Sequence, residues 1–361
     1  SLKREQLRRH LTELEDIDSR SQIMVRLFSQ GKTWADYREE LARAEALTKE
    51  DVVRVANKYF GANYLFVKKK TGRYPKERLK KPGFAPIVPK HADATSAYSD
   101  WLDRMPVEEV RPRFVDFTHD VQTLRPADGL TLYITPNRVN NIFTLKLSYA
   151  IGLTEEPRLK LLTGYIPLLG TASLTFDALH TRLQTLGSTL DLTADEYSLT
   201  LKITGFDTAF DETLELVSGF VSGVKADDAK LKTLVDDARV ANKAFFKSNN
   251  EVAEALFEFV QYGPESQFLT RPSLRDVKRT KGRELVDLFR HAVRRECTAH
   301  YCGTLPAERV VDRTLRCFSP GPDGRIAAVA PYRRLVSYDR PRVYLYHMPD
   351  VFQNIIYVYM P

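Results

Sequence analysis

Leu168–Phe206 reads LLGTASLTFDALHTRLQTLGSTLDLTADEYSLTLKITGF. Its spacing predicts a helix over about Ser173–Leu186, stopped by Gly187. Two strands should follow, Thr189–Ala194 and Tyr197–Gly205. Upstream, Asp128-Gly129 is a turn signal, Leu130–Thr135 alternates as a strand, and TPNRVNN makes a second turn. Ile142–Ala150 alternates again, with Phe143, Leu145, Leu147 and Tyr149 on one face. A helix is expected over about Glu155–Leu169. Downstream, helices are expected near Asp207–Ser222, Asp227–Asn249, Glu251–Tyr262 and Arg283–Ala292, then a strand over Glu296–Gly303. Strands and helices are grouped rather than alternating. The fold class is therefore α+β: a mixed or antiparallel sheet with clustered helices.

This pattern fills residues 116–318, and the flanks read differently. Residues 1–70 are mostly helical, with Leu7, Leu11, Leu14, Met24 and Leu27 at spacings near three and four. Thr48 caps a helix with Asp51 as its capping-box acid. Gly61 follows the last turn, and Tyr64–Val67 is a short β-rich run. A lone strand cannot satisfy its own backbone groups, so its partners are expected before Ser1. The chain begins without Met and is expected to be a fragment, with 1–70 the end of a preceding α+β domain. Residues 71–115 form a Pro-rich linker with one short helix within Thr95–Met105. Residues 319–361 are expected to hold a loop and the first strands of a further domain, at Val343–Tyr346 and Ile355–Tyr359. A weak internal echo relates EDVVRV at Glu50–Val55 to RELVDL at Arg283–Leu288, suggesting two copies of one unit.

With 361 residues and 43% apolar content, the chain can bury packed cores. No apolar run is long enough to span a membrane. The formal net charge is +7, and the densest basic run is KKKTGRYPKERLKK, Lys68–Lys81. A solvated edge and linker explains that run better than nucleic acid does, because no interleaved aromatics accompany it. Three cysteines, Cys297, Cys302 and Cys317, make no disulfide framework. Cys297 falls on the strand face opposite His300 and Cys302, so these three do not form a zinc site.

Four stretches together resemble the pitrilysin-type, or insulysin-like, zinc metallopeptidases. They are LTKEDVVRVANKYFGANYLFVKKKTGRYPKERL from Leu47, MPVEEVRPRFVDF from Met105, GLTLYITPNRVNNIFTLKLSYAIG from Gly129, and the Leu168–Phe206 segment. The resemblance implies a parent of two halves that enclose a chamber where peptides are cut. It also implies a His-x-x-Glu-His helix just before LLGT, whose two imidazoles hold zinc while the carboxylate polarises water. At those positions this sequence has Leu161, Gly164 and Tyr165. The helix expected to supply a third ligand offers Asp236 and Asp237 without partners. His10 and Glu13 make half an inverted motif, but Leu14 takes the second imidazole position. His91, His119, His180, His291 and His347 are isolated.

The expectation is therefore a non-catalytic portion of a zinc-dependent peptidase, with no catalytic, metal or cofactor-binding residue of its own. Zinc is expected in an upstream domain outside the chain. The expected partners are a peptide or unfolded polypeptide and the N-terminal half of the same protein, with no nucleic acid and no membrane span. The alternative is a catalytically dead scaffold of the same fold that binds peptides or a partner subunit. The resemblance leans toward the bacterial periplasm.

Overall fold

Where apolar residues recur every second position, the backbone pairs; where they recur every third or fourth, it coils. A computed structural model describes residues 2–73, 83, 90, 93–107, 109, 111–112, 114–319, 333–349, 351 and 354–360. The helices in chain order are α1 Leu2–Glu13, α2 Ile17–Ser29, α3 Trp34–Ala46, α4 Lys49–Tyr59 and α5 Ala97–Asp103. They continue with α6 Leu159–Tyr165, α7 Phe176–Leu186, α8 Phe210–Gly223, α9 Asp228–Phe245 and α10 Asn249–Tyr262. The last four are α11 Gln267–Thr270, α12 Leu274–Arg279, α13 Gly282–Ala292 and α14 Ala307–Phe318. The strands are β1 Gln122–Ala127, β2 Leu130–Pro136, β3 Ile142–Tyr149, β4 Thr189–Ala194, β5 Leu199–Phe206 and β6 Cys297–Gly303. The chain divides into two compact units, one of residues 1–45 with 116–361 and one of 46–115.

In the larger unit the six strands form one sheet, in the order β1-β2-β6-β3-β5-β4. β2 and β6 run parallel, and every other neighbouring pair is antiparallel. This is the mixed sheet of an α+β fold. Its core face carries Leu132, Leu145, Leu147, Leu201, Ile203 and Tyr301, all buried. Leu162 and Tyr165 of α6, Leu179 and Leu183 of α7, Leu214 and Val217 of α8, Leu285 and Phe289 of α13, and Val310 of α14 cover that face. The opposite face carries the alternate positions, which are mostly polar, with buried Ile142 and Phe206 paired at one end. These helices cover one side, while α1 lies against one end of the other face.

Local chemistry sets the joints. Gly187 ends α7 with φ 69° and ψ 30°. A Cβ there would approach the Phe206 ring to 2.7 Å, so the position demands glycine on both counts. Residues 137–141 carry the chain from β2 to β3 over the end of β6. Asn137 Nδ2 donates to Ile142 O at 2.9 Å, and Gly303 O accepts from Asn137 N at 2.9 Å. Buried Asp207 closes the same end. It accepts from Tyr301 OH at 3.1 Å and from Thr304 Oγ1 at 2.6 Å. α1 packs alongside: Asn140 Nδ2 donates to Glu15 Oε1 at 2.7 Å, and Arg4 lies 5.3 Å over the Phe206 ring. α2 and α3 share a small core of Ile23, Leu27 and Tyr37.

In the smaller unit, Thr48 and Asp51 form the expected capping box on α4, and the short helix of the Pro-rich stretch is α5. Gly61, expected as a left-handed stop, is not among the glycines of positive φ. The expected strand at Tyr64–Val67 is unpaired, and all four side chains are exposed. Ladder partners are what make an extended run a strand, and none stands beside it among the described residues. The expected strands Val343–Tyr346 and Ile355–Tyr359 are likewise extended but unladdered. They lie on α10 instead, where Tyr357 stacks on Phe257 with centroids 4.7 Å apart and Tyr344 meets Phe259 edge-on at 5.9 Å.

Candidate functional site

Two places merit a functional reading: the helix turn where a zinc motif would sit, and the open face of the sheet.

On α6, Leu161 and Tyr165 are buried among core side chains. Gly164 faces α9 so closely that a Cβ would meet Leu234 Cδ1 at 3.1 Å. The Tyr165 hydroxyl donates to Asp227 O at 3.0 Å and accepts from Asp227 N at 2.9 Å. Burial raises its pKa, so it stays a neutral phenol. On α9, Asp236 and Asp237 are exposed, and Asp236 is paired with Arg239 at 2.9 Å. The turn thus serves packing and ties α6 to the start of α9. Among the described residues no three metal-ligating groups converge there, and Leu161, Gly164 and Tyr165 do not fit a zinc ion.

The histidines are scattered. His10 lies 3.3 Å from the Tyr37 hydroxyl and His119 2.7 Å from Asp116, while the His180 ring lies 4.2 Å from that of Phe176, tilted by 50°. His91 lies outside the described residues. Cys297 is buried, and desolvation pushes its thiol up to about 12. His300 and Cys302 stand on the opposite face. Among the described residues no three His, Cys, Asp or Glu groups are placed to share a metal ion. Residues 68–73 of the basic run are exposed; 74–81 lie outside the described residues.

The open face is built by period two. Its middle rung crosses five strands as Tyr133, His300, Lys146, Lys202 and Asp191, each directly opposite the next. All five are exposed. On one side runs a rung of Thr131, Thr298, Ser148, Thr200 and Thr193. On the other runs Thr135, Cys302, Thr144, Thr204 and Thr189. Partial burial, and then the neighbouring Lys146 charge, lower the His300 pKa. Between this face and α1 lies a groove of about 730 Å³, lined by Arg8, Glu15, Arg138, Asp191 and Lys202 among others. Arg8 Nε is buried there without a hydrogen-bond partner. Only the pairing of remote strands brings these groups together, so spacing along the chain gives no sign of them.

A second cavity, of about 510 Å³, lies between α10, α11 and the approach to α6. Glu251, Glu254 and Glu258 line it, with Lys160 and with Arg271, which rests 4.1 Å over the Phe268 ring. Glu258 also joins Glu196 in holding the buried guanidinium of Arg333, which packs 4.0 Å over Tyr262.

The architecture has counterparts among solved structures. The ferredoxin protease FusC, in complex with Arabidopsis ferredoxin, aligns at a TM-score of 0.52 and 13% identity, over 89% of this chain and 38% of its own. The periplasmic protease PqqL from Escherichia coli aligns at 0.51 and 14%, over 82% and 31%. The chain has the fold of the pitrilysin-type peptidases. A conserved protein from Enterococcus faecalis aligns at 0.50 and 10%, over 58% of this chain and 55% of its own. The chain thus spans from 31% to 55% of the lengths of these three structures. No family model and no curated protein matches the sequence. The pitrilysin-type fold agrees with the α+β sheet and clustered helices expected above, and at this identity the likeness is one of fold.

Proposed function

We propose that this chain is a non-catalytic part of a zinc-dependent peptidase. It forms a wall of a chamber and positions polypeptide there, while a His-x-x-Glu-His domain outside the chain supplies the hydrolytic metal. The observation that carries this reading is the pairing of a protease fold with α6, where Leu161, Gly164 and Tyr165 replace the groups that zinc hydrolysis requires. A polypeptide partner is supported by the FusC neighbour, which is a protease in complex with ferredoxin. Export to the periplasm is supported by the PqqL neighbour. Among the described residues no helix is long and apolar enough to cross a membrane.

The test is metal analysis and peptide cleavage on this chain, alongside the longer protein with and without chelator. The chain alone should hold no stoichiometric zinc and cut nothing, and the longer protein should cut in a chelator-sensitive way. One tightly held zinc per copy of this chain would overturn the reading. A longer protein that binds peptides without cutting them would favour the dead-scaffold alternative.

A further inference from the structure

The middle rung of the open face contains an energetic anomaly. Lys146 and Lys202 stand directly opposite each other on neighbouring strands. Their α-carbons are ~5 Å apart, and like charges so placed destabilise a sheet. Among the described residues neither ammonium has a carboxylate within ion-pair distance; Asp191 is opposite Lys202 but makes no ion pair with it. His300 extends the row beyond Lys146. Threonine, which fills most of the flanking rungs, would be better at both lysine positions if the sheet alone were at stake.

The surroundings carry a small excess of the same sign. The adjoining groove brings Arg8 and Arg138 to the Lys202 end. Two acids, Glu15 and Asp191, also line it, so with Lys202 three cations face two anions, and Glu15 is held by Asn140 at 2.7 Å. The rung spans ~19 Å across five strands, room for about six residues of extended chain. Hydroxyls on both sides supply further donors.

We propose that this face binds an acidic stretch of polypeptide, whose carboxylates seat on Lys146 and Lys202. The inference rests on the reading of the chain as a wall that positions peptide, and it names the class of sequence positioned. Carboxylates entering the rung relieve the repulsion between the lysines. Each charge-assisted contact strengthens binding about tenfold.

The test uses the full chain and three fluorescent decapeptides, rich in Glu and Ser, in Lys and Ser, or in Gln and Ser. Binding is read by anisotropy at low and at physiological ionic strength. The acidic peptide should bind most tightly, with affinity falling as salt rises. Lys146→Thr with Lys202→Thr should weaken it by about a hundredfold and leave the Tm unchanged or higher, because the repulsion is gone. Alanines at Lys68, Lys69 and Lys70 should change nothing. Equal binding of all three peptides would sink the charge inference while leaving peptide positioning intact. No binding of any peptide would sink both. Loss of acidic-peptide binding at Lys68–Lys70 instead of at the rung, tighter binding of an oligonucleotide than of the peptide at the rung, or a large fall in Tm on removing the lysines would each overturn the assignment.

Discussion

Tyr165 gives one hydroxyl to both backbone groups of Asp227. Tyr165→Phe leaves a donor and an acceptor without partners in a part-buried joint. The expected cost is about 1–3 kcal/mol, seen as a lower urea midpoint with unchanged slope. No comparable loss is expected from Asp237→Asn on the exposed side of α9. Glu156 illustrates a charge that matters through pH. Its carboxylate receives Arg158 Nε at 2.9 Å and Nη2 at 2.6 Å, a two-pronged contact that lowers its pKa. A carboxylate with a depressed folded pKa stabilises the fold above the unfolded value near 4.5, and that stability is lost as pH falls through the lower, folded value. Glu156→Gln should therefore lower the Tm at neutral pH by an amount that closes toward zero in acid. Because Arg158 is half exposed, the neutral-pH effect should stay within about 1 kcal/mol.

At the scale of elements, α14 shows how far pattern reading goes. It packs Val310, Thr314 and Phe318 inward at every fourth position. Arg309 and Arg313 then reach Asp211 of α8 at 2.9 and 3.1 Å. Val310→Ala should cost about 2 kcal/mol and shift the thermal midpoint, whereas Arg316→Ala on the outer face should be nearly silent. The helix was hidden in the sequence because a threonine holds a core position and Pro306 caps it without a side-chain bond. β1 was hidden for a related reason: Pro126 interrupts an edge strand whose alternate residues are mostly exposed. By contrast β2, β3, β5 and β6 alternate cleanly because one face meets a packed core. The same alternation misled at Tyr64–Val67, where period two is present but no ladder is. The packed turn at Leu161, Gly164 and Tyr165 was legible as residues. The lysine rung was not, since it exists only once β6, β3 and β5 lie side by side.

Over the whole molecule, the sheet joins residues far apart in the chain. Leu130 pairs with Cys297 in a parallel ladder that seven residues of each strand share. Long-range parallel pairing is slow to form, because loop closure must precede any reward. The full chain should therefore refold in a late step that buries Tyr301 and organises the Asp207 cluster, measured as slow recovery of near-ultraviolet circular dichroism after the far-ultraviolet signal has returned.

β2 and β3 leave the ribosome as consecutive strands separated only by residues 137–141, yet in the finished sheet β6 lies between them. A nascent hairpin of β2 with β3 is thus a trap, and it must open for a strand synthesised more than 140 residues later. The wide Asn137–Asn140 arch keeps that mispairing weak. Replacing residues 137–141 with a tight Asn-Gly turn should lock the wrong partner in place, cutting the yield of native protein even though every core side chain is intact.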